Sequence, residues 1–105
     1  METKQEKFYI YIKRTNGKEC NRFVERVGTR WAYNGITLYI YRDDAGQYIC
    51  TEPRCGGEVE WGRTIAECMA DAAKAIDDVG ERFEEIVEKN IAKYGLSPLY
   101  AEGLK

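Results

Sequence analysis

Cys50 and Cys55 stand with four residues between them in the stretch CTEPRCGGEVEWGRT, residues 50–64, which continues through Gly56-Gly57 to the paired acids Glu58 and Glu60. Thiolates at close spacing can hold a metal ion, a thiol beside Arg54 can act as a nucleophile, and two carboxylates can share acid-base work. Each of these needs more than the pair itself. Structural zinc takes four ligands, usually from two close pairs, whereas the remaining cysteines, Cys20 and Cys68, are far apart in the chain and there is no histidine. Cys20 falls in a strand-like stretch and Cys68 beside Met69 on an apolar helix side, both positions that suit a small hydrophobe. A nucleophilic cysteine needs its pKa brought down from about 8.5, usually by an imidazole. Glu58 and Glu60 merely line one face of a strand, and Asp77 and Asp78 leave a helix in different directions. There is one serine, Ser97, and neither a P-loop nor a G-x-G-x-x-G motif. The expectation is therefore no enzyme, with catalytic residues none, metal none and cofactors none. Cys55, between Arg54 and two glycines, is expected to be the only exposed thiol.

Binding chemistry is better represented. The net charge of −2 divides unevenly: residues 1–57 carry ten basic and seven acidic side chains, residues 58–88 three and ten, and residues 89–105 three and one. Within the acidic block Glu67, Asp71, Asp78, Glu81, Glu85 and Glu88 recur at alternating steps of four and three, with Lys74 the one basic member and Asp77 and Glu84 flanking the row. The row is offset by two residues, about 200°, from an apolar row of the same period, so it runs along an outer helix face. Asp78 with Arg82 and Glu85 with Lys89 are expected i, i+4 pairs. Such a face is either solvated or an anionic ridge that docks on a basic surface. In the first half of the chain, alternation puts Phe8, Ile10 and Ile12 with Ile36, Leu38 and Ile40 on one sheet face and leaves Tyr9, Tyr11, Tyr39 and Tyr41 on the other, near several arginines. Tyrosines beside cations can stack single-stranded nucleic acid or anchor a protein interface.

The elements that must position these residues are legible from period and punctuation. KFYIYIKR, residues 7–14, runs into the turn pair Asn16-Gly17, a second Asn-Gly lies at Asn34-Gly35, and Asp43 to Gly46 joins ITLYIYR to QYICT. PRCGG precedes a last short strand, EVEW. Trp61 is expected to close the sheet edge against the first helical turn with Val59 on the same face. Thr64 and Glu67 form a capping box, after which Ile65, Met69, Ala72, Ile76, Val79, Phe83 and Ile86 repeat with helical period to about Tyr94. One continuous helix over 65–94 would be about 45 Å long, against about 33 Å for a domain of this size, so the helix breaks near Gly80 or overhangs. The fold expected is α+β: an antiparallel sheet of five or six short strands in residues 7–61, then a long C-terminal helical region in 64–94 laid on one face, and a short tail, 95–105, all in one domain.

Apolar runs are too short to span a membrane and the start METKQEK lacks the apolar core of a signal peptide, so a cytoplasmic location with free thiols is expected. The function expected is a small non-enzymatic inhibitor or adaptor acting by protein-protein contact, with Asp71, Asp78, Glu81, Glu85 and Glu88 presenting carboxylates to a basic effector and aromatic contacts completing the interface. The alternative is a single-stranded nucleic-acid-binding module on the Tyr/Arg sheet face, against which the pI of 5.3 weighs. A homo-oligomer through the helix or tyrosine face is a third arrangement. In general character, a short, charge-segregated single domain with an anionic helix resembles the accessory proteins of phages and mobile elements, anti-CRISPR inhibitors among them. The resemblance implies a partner that is a nucleic-acid-binding complex such as a nuclease; it assigns no residues.

Overall fold

A computed structural model describes residues 5–102. Five strands, β1 (Gln5–Thr15), β2 (Lys18–Tyr33), β3 (Ile36–Arg42), β4 (Tyr48–Glu52) and β5 (Gly57–Gly62), form one antiparallel meander with spatial order β1-β2-β3-β4-β5. Helices α1 (Ile65–Val79), α2 (Arg82–Tyr94) and the short α3 (Pro98–Glu102) follow. Both Asn-Gly turns form as the sequence requires, with positive φ at Asn16 and Gly17 and at Asn34 and Gly35. CNRFVERV and TRWAY, which read as separate stretches in the sequence, belong to one strand of 16 residues, bent so that its first part pairs with β1 and its last part with β3.

The bend depends on Gly28. A Cβ there would stand 2.3 Å from the Ile40 carbonyl oxygen and 3.0 Å from the Phe8 ring, so only a residue without a side chain lets β2 cross this closely. Past the bend the sheet curls, and β1 returns toward the β4–β5 turn, where the Tyr11 N–H donates to the Gly56 carbonyl at 2.9 Å.

Curling corrects the expected division of faces. Phe8 pairs with Arg26, Arg30 pairs with Tyr39, and Arg26 and Arg30 lie on the same side of β2, so Phe8 and Tyr39 share a face. Phe8, Ile10 and Tyr39 form a core inside the curl, joined by Ile12, Val24, Tyr41 and by Leu99 of α3. The opposite side of β3 and β4, with Leu38, Ile40 and Cys50, packs on Cys68, Ala72 and Ile76 of α1 and Phe83 and Val87 of α2. Both faces of β3 are therefore buried, and Tyr9, Tyr11, Tyr39 and Tyr41 do not form one exposed row.

The long helix is two helices. Thr64 caps α1 as the capping box predicts, its hydroxyl accepting from the Glu67 N–H at 3.0 Å. Gly80, at φ 62° and ψ −135°, ends α1 with its N–H on the Ile76 carbonyl, and α2 restarts two residues later. A non-glycine residue would be strained in that conformation. The break keeps the molecule within 32 × 32 × 29 Å, which a straight helix over 65–94 would exceed. The apolar repeat survives it because each half packs separately, though Ile65 and Ile86, expected in the stripe, stay exposed and Cys68 and Val87 take the buried positions. The tail packs: Ser97 is fully buried, and its N–H donates to the Arg54 carbonyl at 2.8 Å.

Candidate functional site

The register between β4 and β5 shifts after Cys50, leaving Val59 as the extra residue. This bulge separates two residues expected to share a face: Val59 packs toward the helices, whereas Trp61, opposite Ile49, points away from them and is 43% exposed. It also turns Glu58 to the rim of a cleft inside the curl. Loss of water there, and then the neighbouring Glu60 and Asp43, push the Glu58 carboxyl above the ordinary carboxylate range.

The turn between Glu52 and Gly57 carries a network of charged groups tied to α2. Glu52, its side chain almost wholly buried, accepts from the Cys55 N–H at 3.0 Å and from Arg54 Nε at 2.7 Å. Arg54 also grips Glu84 of α2 with two hydrogen bonds of 2.9 and 2.8 Å. Glu84 is thereby held below the ordinary carboxylate range, and Arg54, bonded first to Glu84 and then to Glu52, is held firmly protonated. Cys55 lies beneath this turn, 3% exposed, with the Asn90 amide donating to its sulfur at 4.0 Å. It is not the exposed thiol; Cys20, half-buried in β2, is the most accessible of the four. Burial is the main reason that the thiols of Cys50 and Cys68 are pushed up to about 12 and about 11, the state opposite to an activated nucleophile. Among the described residues, no three Cys, Asp or Glu side chains come together as a metal-binding group.

Asp71, Asp78, Glu81, Glu85 and Glu88 are all exposed. They belong to two helix axes: Asp71 and Asp78 to α1, Glu85 and Glu88 to α2, with Glu81 at the start of α2. Both helices rest on the same core, so these acids cover one helical layer without forming a single straight row. Asp78 pairs with Lys74 at 3.0 Å rather than with Arg82, and Glu85 pairs with Lys89 at 3.6 Å as expected. Asp71, Glu81, Glu88 and Glu67 have no ion-pair partner among the described residues. Asp77 and Glu84, which sequence spacing places beside the row, are exposed too but bond across to the sheet and its turns. Asp77 accepts from the Tyr33 hydroxyl at 2.7 Å and from the Asn34 amide at 3.5 Å, raising the Tyr33 phenol, while Glu84 bonds Arg54.

The tyrosines disperse. Tyr39 is 4% exposed and stacks on Phe8 with ring centroids 4.7 Å apart. Tyr41 is half-buried beside Phe8, 5.8 Å away, with the Arg26 guanidinium 6.0 Å from its ring. Tyr11 meets Phe23 edge-on and packs on Tyr94 of α2 at 4.6 Å. Tyr9 stays half-buried on the side of β1 away from Phe8. These four tyrosines therefore do not make one continuous stacking platform.

Lys13 and Arg26, which sequence reasoning places with the tyrosines on a sheet face, instead border with Arg14 a cleft of about 710 Å³ between the ends of β1 and β2, the β4–β5 turn and α2. Strand alternation carries no signal for a cleft there; the curl that brings β1 to the β4–β5 turn and α2 creates it. No known protein family, curated protein or solved structure matches the chain.

Proposed function

We propose that the protein is a small non-enzymatic inhibitor or adaptor that docks on a basic, nucleic-acid-binding protein through the anionic outer surface of α1 and α2, as an anti-CRISPR-like blocker would. The supporting observation is a division of labour among the acids. Asp77 and Glu84 are consumed by bonds to the sheet and its turns, whereas Asp71, Glu81 and Glu88 stand exposed with no cation among the described residues. Asp78 and Glu85 keep only exposed i, i+4 pairs, which water already screens and an incoming arginine can replace. Carboxylates left free on the outer helix faces can meet arginine forks with two charge-assisted bonds each, and that geometry competes directly with phosphate for the same side chains. The inner faces of both helices are committed to the core, which leaves the outer faces as the surface available to a partner.

Immobilised protein exposed to a bacterial lysate, with the retained polypeptides identified by mass spectrometry, tests the reading. The expected partner is basic, elutes as salt is raised and is displaced by competing nucleic acid. A partner that resists high salt, or that binds this protein and nucleic acid together, contradicts it.

A further inference from the structure

We infer that the cleft between the β1–β2 hairpin and the β4–β5 turn binds a small organic phosphate of nucleotide size. The site is separate from the acidic helix surface and stands without it. Its volume, about 710 Å³, falls within the range of small-molecule sites and far exceeds the roughly 30 Å³ of one water. The lining is mixed: Ile10, Ile49 and Cys55 lie buried beside Thr51, and the rings of Tyr11, Tyr41 and Tyr94 border the cleft among its polar groups. A cleft of this size bordered by three aromatic rings suits an organic ligand that carries a ring of its own rather than a bare ion.

The rim is cationic in a way the fold itself does not offset. Lys13, Arg14 and Arg26 border the cleft and Glu58 is the one acid there. Among the described residues none of the three cations has a carboxylate partner. Arg26 donates instead to the main-chain oxygen of Glu25 at 2.9 Å, with its guanidinium over Tyr41. Lys13 stands 5.0 Å from the Tyr94 ring centre and Lys93 reaches the same ring at 5.2 Å, so two ammonium groups crowd one phenol. The β1–β2 register shifts beside Lys13, where Asn21 takes φ 48°, a conformation uncommon for a residue with a side chain. Bulges of this kind twist a strand end and are frequent next to sites. Cations gathered from two strands match a multiply charged phosphate better than a single carboxylate, and guanidinium forks fit phosphate oxygens in pairs.

The test is an amide NMR titration of the whole protein at low salt with adenosine 5′-monophosphate, inorganic phosphate, adenosine and a short unphosphorylated oligonucleotide. Expected are saturable shifts at Lys13, Arg14, Gly56 and Gly57 with the monophosphate, about tenfold weaker ones with inorganic phosphate, and none with adenosine. Lys13→Glu and Arg26→Glu should each weaken the monophosphate about tenfold, while Lys18→Glu, on the same hairpin outside the cleft, should not. Lys13 is exposed at the strand end, so Lys13→Glu decides the matter if Arg26→Glu disturbs folding, which circular dichroism reports. The inference is overturned by absence of saturable shifts with the monophosphate, by equal binding of inorganic phosphate, or by equal loss in Lys18→Glu. Tighter binding of the oligonucleotide overturns it too, since that marks a generic basic hairpin.

Discussion

Arg54 reaches Glu84 with both terminal guanidinium nitrogens, at 2.9 and 2.8 Å from the two carboxylate oxygens, while its Nε donates to Glu52 at 2.7 Å. One side chain thus ties the β4–β5 turn to α2 and neutralises a buried carboxylate. The two acids differ in burial: the Glu52 side chain is 3% exposed and that of Glu84 is 53% exposed. Arg54→Ala, which strands Glu52 in the interior, should therefore cost about 3 kcal/mol. Glu84→Ala should cost about 1 kcal/mol or less, because water already screens that arm. Urea denaturation of the two variants measures both. Equal costs would mean that Glu52 is not the group that Arg54 serves.

Acidification acts on the same link. Arg54 holds the folded Glu84 carboxyl below its ordinary value of 4.5. A depressed folded pKa adds stability that is complete above the unfolded value and is lost as pH falls through the folded one. The stability gap between wild type and Glu84→Gln should therefore be present at neutral pH and shrink at about pH 3. Urea midpoints at the two pH values report it, and a gap that widens on acidification would reverse the assigned sign.

Burial of Tyr39 makes a different kind of prediction. Its ring stacks on Phe8 with centroids 4.7 Å apart and planes 11° apart. Tyr39→Ala should cost about 3–5 kcal/mol, the range for truncating a buried aromatic, and Tyr39→Phe much less. Thermal or urea unfolding decides between this and a residue held ready for a ligand, which alanine would replace at little cost to stability.

Thiol accessibility is equally direct. Cys50, Cys55 and Cys68 are buried and their thiols are pushed up chiefly by that burial. A colorimetric thiol reagent should find one fast-reacting cysteine in the native protein, removed by Cys20→Ser, and all four in denaturant. Rapid reaction of Cys55 would contradict the buried turn.

What the sequence carries and what it does not can be separated residue by residue. Asn16-Gly17, Asn34-Gly35 and the Thr64 cap on the Glu67 N–H each depend on a few neighbouring residues, and each forms as expected. The tyrosine faces depend on pairing register. Alternation along β1 or β3 alone cannot show that Phe8 and Tyr39 share a side, because that parity passes through Arg26 and Arg30 of β2 and is sharpened by the curl at Gly28. The helix break was one of two outcomes that length allowed, and Gly80 decides it. Asp77 and Glu84 lie on the acidic side by period, yet Tyr33 and Arg54 claim them across 44 and 30 residues of chain. Exposure of the remaining acids was readable from helical period; partners reached across the fold were not.

The claim that the anionic helical layer is the docking surface is tested most directly by charge reversal. Wild type and a variant carrying Asp71→Lys, Glu81→Lys and Glu88→Lys, none of which bonds to another described residue, should unfold at similar urea concentrations. The partner retained by wild type from the lysate should then be presented to both in a binding titration. The account predicts loss of binding by at least about a hundredfold in the variant, with affinity for wild type falling as salt rises. Binding of the folded variant as tight as that of wild type would contradict it.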